Sequence, residues 1–98
     1  MKVVFFIGKD KFGSAKNRLY ADEVVSKQSI TTRDNAAMGK DTEGYYIVID
    51  GNEEAITKAK EIIKDDAKLL KGAEAEEIIK AIESQESNAA DGFGAIFG

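Results

Sequence analysis

The chain has 98 residues, with 14 Lys or Arg against 18 Asp or Glu, and it contains no histidine, cysteine or proline. This composition excludes disulfides, thiolate chemistry and every histidine-dependent triad, and it removes the commonest zinc ligand. The length admits one domain with one core, a hydrophobic content of 43% is enough to fill it, and a net charge of −4 argues against a broad nucleic-acid or anionic-membrane surface.

The charge is uneven along the chain: residues 1–50 carry +1 and residues 51–98 carry −5. No apolar run approaches the roughly 18 to 20 residues that span a bilayer. Met1-Lys2 ahead of a short apolar run lacks the layout of a signal peptide, so an intracellular, cytoplasmic protein is expected.

In chain order, Val3-Val4-Phe5-Phe6-Ile7 is continuously apolar, which predicts a strand buried on both faces. Residues 8–14 read as a loop, with glycine near both ends and Ser14 placed to cap a helix over residues 15 to 27. The inner stripe of that helix would be Tyr20, Ala21, Val24 and Val25. Ser29-Ile30-Thr31-Thr32-Arg33 has the β-branched content of a short edge strand. Residues 34–43 carry little pattern: Asn35, Gly39, Asp41 and Gly44 suggest a long turn between two strands, with a helical turn over Ala36-Ala37-Met38, ended by Gly39, as the alternative.

Tyr45-Tyr46-Ile47-Val48-Ile49 predicts the central strand, with the two tyrosines on opposite faces. Asp50-Gly51-Asn52 then supplies a turn and an N-cap oxygen. Ala55, Ile56, Ala59, Ile62 and Ile63 recur at the spacing of an amphipathic helix. Residues 68–71 fit either a fourth strand or a continuation of that helix, and the punctuation by Asp65-Asp66 and Gly72 favours the strand. A last helix is expected from 73 to 87, with Ala75, Ile78, Ile79 and Ile82 on its inner face, followed by a glycine-rich apolar tail over 88–98.

The order β-α-β-β-α-β with an additional C-terminal helix is the α+β, two-layer ferredoxin-like plan, here in a single domain over residues 1–98. The alternative keeps residues 52–71 as one long helix and leaves three strands. Residues 45–64 also resemble the last strand and helix of a KH RNA-binding domain. That resemblance implies RNA binding on a G-x-x-G loop, a spacing found nowhere in the chain.

Three groups of residues are candidates for function. Gly8, Gly13 and Ser14, between a strand and a helix, have the layout of a phosphate loop, with Lys9, Lys11, Lys16 and Arg18 close by. The layout departs from the motif at its decisive point, because Ser14 follows Gly13 directly and no lysine stands between them. A weaker site for an anion or phosphoryl ligand remains, as does a plain solvated loop. The second group is Phe93, Ile96 and Phe97, spaced by glycine and alanine, which would pack on the protein's own core or dock on another subunit or partner. The third comprises the carboxylates Asp34, Asp41, Glu43, Asp50, Asp65 and Asp66, which lack ligand-loop spacing and read as turns, a strand end and a helix stop.

The resulting expectation is an interaction or ligand-binding module that self-associates as a dimer or higher oligomer and has no catalysis of its own. Neither a cofactor, a metal nor a membrane is expected. A small anion-ligand enzyme built on residues 8–18 is the alternative, and RNA binding a further one.

Overall fold

Every residue of two apolar runs finds cover because the runs form the two central strands of one sheet. The computed structural model describes residues 1–35 and 43–97, with side chains through residue 85. Strand β1 (Lys2–Ile7) leads into helix α1 (Lys9–Ala21), a 3₁₀ turn at Val25–Lys27 and strand β2 (Ser29–Asp34). Strand β3 (Tyr45–Asp50), helix α2 (Glu53–Ile63), strand β4 (Ala67–Leu70) and helix α3 (Gly72–Phe97) follow. The chain is thus α+β, with one four-stranded antiparallel sheet in the order β2-β3-β1-β4. The long-helix alternative over 52–71 is corrected: α2 ends at Ile63, and Ala67–Leu70 pairs with β1.

Residue parity sorts the core. Val3, Phe5, Ile7, Ile47 and Ile49 pack with Ala15 and Leu19 of α1 and Ile56, Ala59 and Ile63 of α2. Val4, Tyr46, Val48 and Leu70 point the other way and meet Ile78 and Ile82 of α3. Helix α3 therefore closes a third layer over the second face of the sheet. The two tyrosines separate as expected: Tyr45 stacks on Phe12 with ring centroids 3.9 Å apart, and Tyr46 lies 5.5 Å from Phe6 on the opposite face.

Local chemistry explains the helix ends. The Asn52 Oδ1 accepts a hydrogen bond from the Ala55 N–H at 2.8 Å and so starts α2 with a side-chain cap. Helix α1 is shifted from its expected span and begins at Lys9, capped by Gly8 without a side-chain bond. The loop expected over 8–14 is therefore its first turns, and Ser14 caps nothing. Its buried residues are Ala15 and Leu19, whereas Tyr20 is 48% exposed. The expected stripe from Tyr20 to Val25 is broken after Ala21, although Val25 itself is fully buried in the core, because the Asp22 Oδ1 accepts the N–H groups of Val24 and Val25 at 2.8 and 2.9 Å. Taking those donors from the helical ladder stops α1 at Ala21 and turns the chain toward β2.

Helix α3 runs to Phe97, ten residues beyond its expected end at 87. Residues 36–42, where a long turn or a helical turn was expected and where Asp41 sits, lie outside the described residues. So do the side chains of Phe93, Ile96 and Phe97.

Candidate functional site

One helix cannot cover four strands. Strands stand about 4.8 Å apart, so a four-stranded face is wider than the roughly 10 Å breadth of a helix with its side chains. Helix α3 crosses that face obliquely: it starts at Gly72 just past β4, its Ile78 packs in one cluster with Leu70, and Gln85 Oε1 accepts from Arg33 Nε of β2 at 3.3 Å. A groove remains on each side of it.

The larger groove is a cleft of about 290 Å³. Its floor is apolar, formed by Phe6 of β1, Tyr46 of β3, Leu70 of β4 and Ile78 of α3. Asn35, only 1% exposed, closes one end, and its backbone N–H donates to the Gly44 carbonyl at 2.8 Å. The rim carries the exposed side chains Lys68, Glu74 and Glu77. Gly44 shapes the floor from below. Its φ is +155°, and a Cβ there would stand 2.6 Å from the Phe6 ring and 2.8 Å from the Ile7 carbonyl oxygen. Only glycine lets the Phe6 ring lie where the cleft needs it.

The smaller groove, about 150 Å³, lies at the other end of α3 between Lys2, Thr31, Asp50 and Ile82. The Lys2 ammonium meets the Glu83 carboxylate there at 2.9 Å.

The residues singled out for anion binding lie along one helix and turn to different tasks. Lys11 approaches Asp66 at 3.9 Å, and Arg18 pairs with the same carboxylate while donating to the Ile62 carbonyl at 2.9 Å. That cluster fastens α1 to the turn between α2 and β4. Lys16 lies 5.8 Å from the Phe12 ring centroid. Gly8 and Lys9 border an open depression that also contains Asp10 and Glu43, so the local field there is mixed. Gly13 and Ser14 are exposed within α1.

Among the carboxylates, Asp50 meets the N-terminal ammonium at 3.6 Å, and Asp22 meets Lys58 at 3.9 Å. The Val25 N–H, with help from the Val24 N–H and the Lys58 ammonium, holds the Asp22 carboxyl below its ordinary range against an opposing effect of burial. Among the described residues, no group of three or more acidic side chains is placed to hold a metal ion. No helix is long and apolar enough to cross a membrane, among the same residues.

The cleft residues were missed as a set. The signal in the sequence was a second fully apolar strand face with only one helix left to cover it. Set against protein-family models, curated proteins and solved structures, the chain has no significant match.

Proposed function

We propose that this protein is a cytoplasmic, non-catalytic binding module whose ligand sits in the cleft between α3 and the sheet. The observation that carries this reading is the cleft itself: an apolar floor from Phe6, Tyr46, Leu70 and Ile78 under a rim with one cation and two carboxylates. Ligand sites are concave and largely apolar, with a few polar groups that fix orientation, and about 300 Å³ is the small end of their range. A rim of both signs suits a small zwitterion with an apolar side chain, its carboxylate toward Lys68 and its ammonium toward Glu74 and Glu77. A chain without histidine or cysteine supports binding over turnover.

The proposal has two further parts. The sheet order β2-β3-β1-β4, with helical crossovers from β1 to β2 and from β3 to β4, supports a ferredoxin-like plan elaborated by α3. Self-association through the end of α3, where Phe93, Ile96 and Phe97 lie in sequence, is supported by a helix that continues to Phe97.

L-phenylalanine, benzoate and benzylamine, each titrated to millimolar concentration and followed by backbone amide shifts, test the ligand class. The zwitterion is expected to bind most tightly, with shifts at Phe6, Tyr46, Leu70 and Ile78, and Lys68→Ala is expected to abolish its advantage over benzylamine. Absence of any shift at these four residues with all three probes would overturn the reading.

A further inference from the structure

The hydrogen-bond parity of β2 shows which of its backbone groups are left at the sheet edge. Asn35 N–H donates to the Gly44 carbonyl, one pair beyond the register that sets Asp34 against Tyr45 and Arg33 against Tyr46. Bonded and non-bonded pairs alternate in an antiparallel ladder, so Thr31 and Arg33 bond toward β3. The N–H and C=O groups of Ile30 and Thr32 then point to the open edge, where the Thr32 carbonyl accepts from Arg33 Nη1 at 2.9 Å. Among the described residues, the sheet continues from β2 to β3 alone.

The two edges of the sheet are guarded differently. Strand β4 is four residues long and carries the exposed Lys68, both of which discourage pairing. Strand β2 is six residues long and reads Ser-Ile-Thr-Thr-Arg-Asp: its two charges stand at its C-terminal end, where Arg33 Nη1 donates to the Thr32 carbonyl, and it has neither proline nor glycine. Its centre is β-branched and half-buried.

The geometry points to β2 as a dimer interface, pairing antiparallel with β2 of a second copy about a two-fold axis through Thr31. Antiparallel self-pairing puts the axis perpendicular to the sheet, so each residue meets a partner of its own parity. An axis at Thr31 sets Ile30 against the symmetry mate of Thr32 on the α1/α2 face, and this pairing engages all four outward groups of those two residues, the Thr32 carbonyl keeping its Arg33 donor on its second lone pair or exchanging it. Thr31 meets its own mate on the α3 face, and Ser29 meets Arg33. Cross-strand β-branched and Thr–Thr pairs are favourable. An axis at Ile30 would instead oppose Lys27 to Arg33, and one at Thr32 would oppose Ile30 to Asp34.

Helix α3 favours the same occupant. It crosses from β4 to β2, where Gln85 takes Arg33, and residues 86–97 add about 18 Å at the helical rise. Each copy's α3 thus runs past the edge strand on the side where the neighbouring sheet would lie. The inference deepens the self-association reading above, and rests on it for the oligomeric state alone.

The absence of cysteine makes the test clean. A Thr31→Cys variant of the full chain places two thiols across the axis in a non-bonded pair, with Cα atoms about 4.5 Å apart, within disulfide reach. Under mild oxidation it is expected to form a covalent dimer at least about tenfold faster than an Asn17→Cys control on the exposed face of α1, because pairing raises the local thiol concentration. Thr32→Pro removes one outward donor and is expected to halve the native mass while the circular dichroism spectrum stays unchanged. Equal cross-linking rates in a chain that is dimeric by mass would overturn the edge pairing and leave association through the end of α3 standing. A chain that remains monomeric at high micromolar concentration would overturn both.

Discussion

On the α1/α2 side of the sheet, Phe5, Ile7, Ile47 and Ile49 are at most 2% exposed and lie under two helices. On the α3 side, Tyr46, Val48 and Leu70 are each 8% exposed and lie under one, around a fully buried Val4, whereas Val3 near the start of β1 is the one buried strand residue of the first side that reaches 7%. Strands β1 and β3 supply residues to both faces, and the two sets are almost equally apolar, so residue type does not make the difference. What differs is how much helix the chain supplies to each face. Two helices fill the first face and leave a sealed core, whereas one helix laid obliquely over the second leaves grooves at its flanks. The sealed face holds the fold together, and the grooved face leaves apolar surface open beside its helix.

The largest expected effect comes from opening the sealed face. Phe5→Ala should cost about 3–5 kcal/mol, close to the whole stability of many small domains. Ile78→Ala deletes a smaller side chain that borders the open cleft and should cost less, about 2 kcal/mol. Urea unfolding of the two variants measures the contrast, and equal losses would mean that both faces are sealed alike.

Gly44→Ala sharpens the comparison from below the cleft. The added methyl would press on the Phe6 ring and the Ile7 carbonyl at a backbone angle that side chains seldom adopt, and a loss of about 1–3 kcal/mol is expected. Its distinguishing sign is local: amide shifts should change at Phe6 and Tyr46 and leave Leu19 and Ile56 in place.

The smallest effect is electrostatic. The Asp22 carboxyl is held below its ordinary range by the Val25 and Val24 N–H groups and by Lys58. The stability it contributes is therefore fully present above the unfolded carboxyl pKa of about 3.9, and is lost as pH falls through the lower folded value. Asp22→Asn should remove that contribution, lowering stability at neutral pH and leaving it little changed near pH 2, so that the acid limb becomes flatter. Thermal melts between pH 2 and pH 7 would show this, and an unchanged acid limb would contradict the assignment.

Much of the fold was legible because single segments encode it. The continuous apolar runs at 3–7 and 45–49 already required cover on both faces, and Asn52 ahead of Glu53 and Glu54 announced the start of α2. The start of α1 was hidden because Gly8 caps with its backbone alone and Gly13 is a residue that helices tolerate only at a cost of about 1 kcal/mol. Its end was hidden because Val24 and Val25 continue an apolar rhythm that the Asp22 side chain interrupts. The cleft was illegible for a different reason: Phe6, Tyr46, Lys68 and Glu74 come from four elements and meet only once the sheet order is set. Lys11 and Arg18 looked like ligand cations for the same reason in reverse, since their partner Asp66 lies some fifty residues away in sequence.

The most direct test of a functional second face is a methyl-resolved carbon–proton titration of the full chain with L-phenylalanine. The Leu70, Ile78 and Ile82 methyls report the α3 side, and the Ile7, Leu19 and Ile47 methyls report the other. The account predicts saturable shifts at Leu70 and Ile78, smaller ones at Ile82, and none at the sealed core. Shifts spread evenly over both sets, or confined to Leu19 and Ile47, would contradict it.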